Sequence, residues 1–294
     1  MSGPSLRHHY VEASGLRHHL AVWDGGGHTT VLLLHGYLDS AFNWSFLVEA
    51  LPPNDWHIVA PDWRGHGDSD WVPSGGYYHF PDYVRDLEQV AAQVRRKRLI
   101  IVAHSMGAMV ATLWLGARPT LADGLVLVEG LGPPRVPYDK YPARFGLWLD
   151  QTAPYDPDRF QHPMDDLEHA IRRLRRANPR LSLDMATRVA EQVCRAGEDG
   201  RFRWKYDPLH RTRSPHPLSI EVAGPFLSRI RAPILWIGGA ESPWLGPAVD
   251  EWLSGRSEIE RIALPDAGHM VQNDAPARLA VELSTFVSSA LGRS

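Results

Sequence analysis

The chain has 294 residues, a length that suits one large domain carrying an insertion. Its hydrophobic fraction of 44% and charged fraction of 22% are those of an ordinary globular protein. A formal net charge of −3 gives no electrostatic reason to expect nucleic acid or an anionic membrane as a partner. Since no run approaches the roughly 18 apolar residues of a membrane span and no signal peptide is visible, we predict a cytoplasmic protein.

The first half of the sequence alternates short apolar runs with amphipathic segments. Residues 9–13 and 18–22 flank a Ser-Gly turn and predict an antiparallel hairpin. Continuous apolar runs, typical of strands buried on both faces, follow at residues 30–34, 57–60, 99–103 and 125–128. Apolar residues at helical spacing predict a helix over residues 83–95. This alternation of strands and helices predicts βαβ units and a mainly parallel sheet.

The pattern changes after Gly132, where prolines interrupt the chain. Two helices are predicted near residues 165–178 and 182–195, with Ser182 as the N-cap of the second. The strand rhythm resumes at residues 233–237 and 259–264, and a closing helix is predicted over 275–291. A largely helical block therefore interrupts the α/β framework.

The clearest catalytic signal is the turn around Ser105. The strand at residues 99–103 runs directly into this serine and then into a helical run, which resembles a nucleophile elbow. In the usual G-x-S-x-G pattern Ala103 replaces the first glycine, and Gly107 is the second. Both flanking positions must be small because the turn is sharp. A serine that merely caps a helix is the alternative interpretation, but the strand-to-helix context favours a nucleophile.

His35-Gly36 follows an earlier buried strand and predicts an oxyanion loop. Acyl transfer builds negative charge on the carbonyl oxygen, which preorganised backbone N–H groups stabilise. Gly36 lets the chain turn so that the N–H of Tyr37 faces the site, and the N–H of Met106 is the predicted second donor. We expect His35 and Asp39 to have structural roles in this loop.

A base for the serine is predicted at His269, in the loop after the last strand. From there an imidazole can reach back to Ser105, and the order of serine before histidine matches that of α/β hydrolases. His104, beside the serine, is expected to face the core or the substrate pocket. No metal site is predicted, because Cys194 is the only cysteine and no metal-binding histidine motif occurs.

The sequence offers several candidates for the acid partner of the histidine. The usual acid follows the strand at residues 233–237, where the register places Ser242 or, one residue earlier, Glu241. Glu129, at the end of the preceding core strand, is the favoured candidate, because pairing with an imidazole would compensate the burial of its carboxylate. Glu241 is the alternative acid, and Asp266 and Asp62 are minor candidates.

These motifs together resemble the α/β-hydrolase family over nearly the whole chain. The matching pieces are His35-Gly36, a D-x-R-G-x-G-x-S loop at residues 62–69, the Ser105 turn and Gly268-His269. Residues 35–39, 129–133 and 203–208 are similar to the serine-hydrolase-like subgroup. The resemblance implies an eight-stranded, mostly parallel sheet flanked by helices, with residues 134–216 forming a helical cap on a core of residues 1–133 and 217–294. It also supports Glu129, because some dehalogenase relatives carry their acid at this strand end.

The resemblance further implies an esterase-type serine hydrolase that acts on a small-molecule ester or acyl substrate as a monomer or homodimer and needs no cofactor. A serine nucleophile argues against dehalogenase and epoxide hydrolase activity, which use an aspartate. The residues expected to line a pocket under the cap are His104, Trp148, Leu149, Phe160 and Trp204. For the last four, which belong to the inserted block, ordinary packing inside the cap is the alternative. Amide, lactone or C–C bond hydrolysis, or a ligand-binding receptor on the same scaffold, are the competing functions.

Overall fold

A computed structural model describes residues 5–130, 135–153 and 158–292, and within them lie ten strands and eleven α-helices. The strands are β1 (Arg7–Ala13), β2 (Leu16–Asp24), β3 (Thr29–Leu34), β4 (His57–Pro61), β5 (Arg98–His104), β6 (Gly124–Val128), β7 (Cys194–Ala196), β8 (Phe202–Trp204), β9 (Ile234–Gly239) and β10 (Glu260–Leu264). The helices are α1 (Ser45–Ala50), α2 (Phe80–Val94), α3 (Met106–Ala117), α4 (Tyr141–Thr152), α5 (Asp158–Gln161), α6 (Leu167–Ala177), α7 (Leu183–Val193), α8 (Ile220–Leu227), α9 (Pro247–Trp252), α10 (Val271–Asp274) and α11 (Pro276–Gly292). Short 3₁₀ helices lie at Ala41–Trp44, Tyr138–Lys140 and Pro208–Arg211.

Eight of these strands form one sheet in the order β1-β2-β4-β3-β5-β6-β9-β10. The pairs β1/β2 and β2/β4 are antiparallel, and the remaining pairs are parallel. The predicted hairpin is confirmed by β1 and β2, and the predicted parallel strands by β3 to β6, β9 and β10. The carboxyl ends of the parallel strands meet at one edge, which is where ligands bind in α/β sheets.

Helices cover both faces of the sheet and explain the continuous apolar runs. Along β5, Leu99 and Ile101 point to the face covered by α2, α3 and α8, whereas Ile100 and Val102 point to the face covered by α1 and α11. Successive side chains of a strand alternate between faces, so every position of such a strand is apolar when both faces are buried. The predicted helices at residues 83–95 and 275–291 are confirmed as α2 and α11.

The segment between β6 and β9 contains α4 to α8 and the short hairpin of β7 and β8. Six of its buried side chains form a small core of their own: Met164, Ala170, Ala190, Cys194, Trp204 and Tyr206. Those of α8 belong to the core under the sheet. The two predicted helices are confirmed as α6 and α7, and the hydroxyl of Ser182 accepts a 3.2 Å hydrogen bond from the N–H of Met185, as an N-cap does. The hairpin was not predicted, because strands of three residues are too short to show a period. The predicted boundary at residues 133 and 134 lies outside the described residues.

Aromatic and histidine rings attach this inserted segment to the loop after β4. The N–H of Asp207 donates to the carbonyl of Gly65 at 2.8 Å, and the hydroxyl of Tyr78 donates to the Asp207 carboxylate at 2.7 Å. The ring of His210 packs against those of Tyr78 and His66, with centroids 3.8 and 4.1 Å apart. Burial lowers the pKa of His210 to about 3 and that of His66 well below its usual value, so both rings are neutral at this junction.

We expect acid to destabilise the fold through its buried histidines. Burial lowers the pKa of His104 to about 3, as it does for His210. An unfolded histidine has a pKa near 6.5, so between about pH 6.5 and 3 the unfolded chain binds protons that the folded chain does not. The free energy of unfolding should therefore fall as the pH falls through this window, by about 1.4 kcal/mol per pH unit for each such histidine. Urea unfolding between pH 7.5 and 5 measures the slope.

The matched variant is His210→Gln, which removes one of these titrating groups. Its stability should depend less steeply on pH than that of the wild type, even if its stability at pH 7.5 is lower. Parallel pH profiles for the two proteins would show that His210 does not contribute to the acid sensitivity.

Candidate active site

Ser105 occupies a strained turn between β5 and α3. Its backbone has φ 49° and ψ −112°, a conformation that non-glycine residues rarely adopt. The turn brings α3 so close to β3 that a Cβ at Gly107 would lie 2.6 Å from the carbonyl oxygens of Leu34 and His35. Ala103 is fully buried. The small residues predicted on either side of the serine are therefore required by packing, and the turn presents the Ser105 hydroxyl at the edge of the sheet.

A chain of two hydrogen bonds joins three of the predicted site residues. The Oγ of Ser105 lies 3.2 Å from Nε2 of His269, and Nδ1 of His269 lies 2.8 Å from Oε2 of Glu129. Because the carboxylate accepts the proton on Nδ1, Nε2 is left as the acceptor that faces the serine. His104 holds the His269 loop, since its Nε2 lies 2.9 Å from the carbonyl oxygen of His269.

Glu129 follows β6 with a positive φ of 50°, and its side chain is buried. Besides His269, its carboxylate accepts hydrogen bonds from the N–H of Gly239 at 2.7 Å and the hydroxyl of Ser242 at 2.6 Å. These donors compensate the burial of the negative charge. The alternative acid, Glu241, does not join this hydrogen-bonded chain in the described residues: its carboxylate is exposed and forms an ion pair with Arg180. Adjacent residues point in different directions, so the backbone that turns Ser242 inward turns Glu241 toward solvent.

The predicted oxyanion loop lies directly beside the serine. A Cβ at Gly36 would lie 2.7 Å from the His104 ring and 3.3 Å from Cβ of Ser105, so only glycine fits there. In the part of the chain that the structure describes, the backbone N–H groups of Tyr37 and Met106 have no hydrogen-bond acceptor. Met106 is also the first residue of α3, where N–H groups lack partners within the helix.

His35 and Asp39 have the structural contacts expected of them. Nε2 of His35 accepts from the N–H of Trp63 at 3.0 Å, and its Nδ1 lies 2.8 Å from the carbonyl oxygen of Gly36. Asp39 accepts from the N–H of Ser40 at 2.8 Å and from the side-chain amide of Asn43. Both side chains shape the loop and lie outside the chain of hydrogen bonds that ends at Ser105.

The loop at residues 62–69 is hydrogen-bonded to the oxyanion loop. The Asp62 carboxylate accepts hydrogen bonds from Nδ1 of His19 at 2.7 Å and from the N–H groups of Ala41 and Asp68 at 2.8 and 3.0 Å. Ligand-type atoms of His19, Asp62 and Asp68 lie within 4.8 Å of one another, but the protein's own groups already bind them, including a 2.8 Å ion pair of Asp68 with Lys205. The cluster therefore acts as a structural network.

A cavity of about 890 Å³ opens over Ser105 and His269. His104 and Trp204 line it as predicted, and so do Tyr37 and Trp244, of which Trp244 was not foreseen. The other three predicted pocket residues, Trp148, Leu149 and Phe160, are not in its lining. Trp148 packs edge-on against Tyr77 at 5.7 Å, Leu149 is exposed on α4, and Phe160 belongs to α5. Trp148 thus packs against the core loop that precedes α2 and not into the cavity.

The sequence matches the α/β hydrolase fold family over residues 29–276, which is more than four-fifths of the chain. The chain belongs to the α/β-hydrolase family. A serine hydrolase-like protein of Danio rerio is 32% identical to this chain over 218 residues. The match covers 73% of this chain and 66% of the relative, so the chain spans just under two thirds of that protein. Epoxide hydrolase A of Mycobacterium tuberculosis is 26% identical over 98% of each chain.

Among solved structures, the thioesterase domain from the curacin biosynthetic pathway superposes on this hydrolase with a TM-score of 0.84. The two are 26% identical, and the match covers 95% of this chain and 99% of that domain. The names of the last two refer to different bonds, that of an epoxide and that of a thioester. In the described residues of this hydrolase, no helix is both long and apolar enough to cross a bilayer.

The contacts of Glu129 predict a large loss of activity in Glu129→Gln. An amide in place of Oε2 can present a donor to Nδ1 of His269 and so favour the wrong tautomer, which typically costs about 10³- to 10⁴-fold in kcat. Steady-state hydrolysis of a chromogenic ester measures the loss. Glu241→Gln is the matched control, and it should stay within about twofold of the wild type. A stronger loss in Glu241→Gln than in Glu129→Gln would contradict this assignment.

Ser242 stands at the position where the acid usually lies in this family. Its hydroxyl donates to the Glu129 carboxylate, which predicts a positioning role for Ser242. Ser242→Ala should lower kcat about tenfold, because the Glu129 carboxylate loses one of its hydrogen bonds. KM should stay nearly unchanged, because Ser242 does not contact the substrate in this proposal. Ser242→Thr keeps the hydroxyl and should restore most of the rate. If the alanine variant instead raises KM at constant kcat, Ser242 acts on substrate binding.

Proposed function

We propose that this hydrolase cleaves a carboxylic ester, or a closely related acyl bond, through a Ser-His-Glu triad. The observation that carries the proposal is the chain of hydrogen bonds from Ser105 through His269 to the buried Glu129, at 3.2 and 2.8 Å. It is the geometry expected of a nucleophile, a base and the group that orients the base. Epoxide hydrolases are among the relatives, but the residue at the elbow here is a serine, and those enzymes use an aspartate there.

In the first half of the reaction, Ser105 Oγ attacks the substrate carbonyl while His269 Nε2 takes up its proton. The tetrahedral oxyanion forms next to the free N–H groups of Tyr37 and Met106, which donate to it. Glu129 stabilises the imidazolium. His269 then returns the proton to the leaving oxygen as the acyl bond breaks, which leaves an acyl group on Ser105.

In the second half, water replaces the leaving group. His269 accepts a proton from this water, which attacks the acyl-enzyme, and the same two N–H groups hold the second oxyanion. The collapse of this intermediate releases the acid and returns the proton to Ser105. His269 carries the proton in both halves of the reaction. The reactants are water and a small-molecule acyl compound.

The inserted residues 134–216 have the role of a cap in this proposal. Several of them, including Arg173, Leu181, Val189 and Trp204, line the cavity above Ser105. A cap of this kind limits the access of water and selects the acyl or alcohol group that fits. The substrate specificity then depends on the inserted segment more than on the triad.

A panel of p-nitrophenyl esters from acetate to decanoate tests the proposal. Wild-type protein should turn over many times, and Ser105→Ala should lose the activity by at least 10³-fold. Ser254→Ala, on an exposed turn, is the matched control and should keep full activity. A fluorophosphonate probe should label the wild type and the control but not Ser105→Ala.

Other outcomes distinguish the competing functions. A single burst without turnover would favour the receptor, because a receptor reacts once and changes its partner affinity. Labelling of Ser105 without hydrolysis of any ester would direct the search to amide, lactone or C–C substrates. The absence of both labelling and turnover would refute the proposed nucleophile.

A further inference from the structure

The wall that the inserted segment contributes to the cavity is positively charged. Four cationic side chains line the cavity: Arg173, Arg180, Lys205 and Arg211. Arg180 is paired with Glu241, and Lys205 with Asp68. Across the described ranges of the chain, neither Arg173 nor Arg211 has a carboxylate partner. Two guanidinium groups of the cavity therefore carry uncompensated charge.

These two arginines flank an aromatic pair. The rings of Trp204 and Tyr206 are nearly parallel, with centroids 6.4 Å apart and 12° between their planes. Arg173 lies over the Trp204 ring at 5.3 Å and donates to the carbonyl of His162 at 2.9 Å. Arg211 donates to the Tyr206 hydroxyl at 3.3 Å. A guanidinium has five N–H donors, so each retains donors for a ligand.

Tyr37 connects this wall to the reacting centre. Its hydroxyl donates to the carbonyl of His210, the residue before Arg211. Arg211 and Tyr37 both line the cavity. Burial raises the pKa of Tyr37 to about 12, and the charge of Arg211 opposes that rise. The backbone N–H of Tyr37 is one of the two donors proposed for the oxyanion. A ligand bound by Arg211 therefore lies beside Tyr37, in the same cavity as Ser105.

Among the described residues, the carboxylates that line the cavity are those of Asp39 and Asp274, and both accept hydrogen bonds from groups other than the arginines. Asp39 accepts hydrogen bonds from the oxyanion loop, as described above. Asp274 accepts from the N–H of Gly268 and the amide of Asn178, both at 2.8 Å. Asp39 thus holds a loop of the core, and Asp274 joins the core to the inserted segment. Neither forms an ion pair with Arg173 or Arg211.

We propose that the substrate carries an anionic group, a carboxylate or a phosphate, which Arg211 and Arg173 bind while Ser105 attacks the acyl carbonyl. Guanidinium groups bind such anions through paired, charge-assisted hydrogen bonds. This inference rests on the proposed function, because it names the class of ester or thioester on which the same triad acts. The anion belongs either to the acyl part or to the leaving group.

Two pairs of substrates distinguish these sources. In the first, p-nitrophenyl hemiglutarate and p-nitrophenyl valerate differ by a carboxylate at the end of a five-carbon acyl chain. In the second, butyryl-coenzyme A and S-butyryl-N-acetylcysteamine differ in the phosphates of the leaving group. We expect kcat/KM to favour the anionic member of one pair at least tenfold, as a charge-assisted hydrogen bond would. Arg211→Gln and Arg173→Gln should each reduce that ratio about tenfold.

The matched control is Arg176→Gln, which removes an equal charge from an exposed position of α6 outside the cavity lining. It should keep the wild-type ratio. An equal loss of the ratio in Arg176→Gln would show general electrostatic attraction and overturn the inference. Hydrolysis of the neutral esters without preference in either pair would overturn it as well, while leaving the proposed function intact.

Binding measurements decide the question if no ester is hydrolysed. Titration calorimetry of Ser105→Ala with glutarate, and separately with coenzyme A, does not depend on turnover. Saturable binding of one of them that weakens about tenfold when Arg211→Gln is added would support the anion site. The absence of binding by both would refute it.

Discussion

The buried carboxylate of Glu129 is the interaction on which the arrangement of the site depends. Ionised carboxylates are costly to bury unless hydrogen bonds compensate the lost hydration. Here the donors come from separate parts of the chain: the N–H of Gly239 at the end of β9, the hydroxyl of Ser242 after it, and Nδ1 of His269 after β10. The need to satisfy one charge therefore fixes the ends of β6 and β9 and the loop that carries His269 relative to one another.

The same sheet edge brings the strained and tightly packed residues together. Ser105 and Glu129 both have positive φ, and both follow parallel strands at their carboxyl ends. Parallel strands end at one edge, so sharp turns there direct side chains into a common space. Gly107 allows α3 to approach the end of β3, and Gly36 allows the loop that contains Tyr37 to approach His104 and Ser105. Local strain is stable here because both faces of the sheet are packed.

The sequence predicts the core strands and the turn at Ser105 well because their causes are local. Continuous apolar runs identify strands buried on both faces, and the turn at Ser105 needs small residues at fixed positions. The acid could be ranked but not decided, since the choice between Glu129 and Glu241 depends on which side chain the β9 turn directs inward. Trp148 and Leu149 were assigned to the pocket wrongly because both lie on α4, a helix without buried residues, and their contacts are set by tertiary packing.

The core and the inserted segment contribute different properties to the site. The core supplies neutral or compensated groups: the pKa of His104 is lowered to about 3 by burial, and Glu129 is surrounded by donors. The inserted segment supplies cations whose charge is not compensated by neighbouring carboxylates. Because the segment is attached through Asp207 and His210 beside Tyr37, its charge lies close to the oxyanion loop. Changes in the inserted segment can therefore alter the charge of the substrate that fits while Ser105, His269 and Glu129 stay in place.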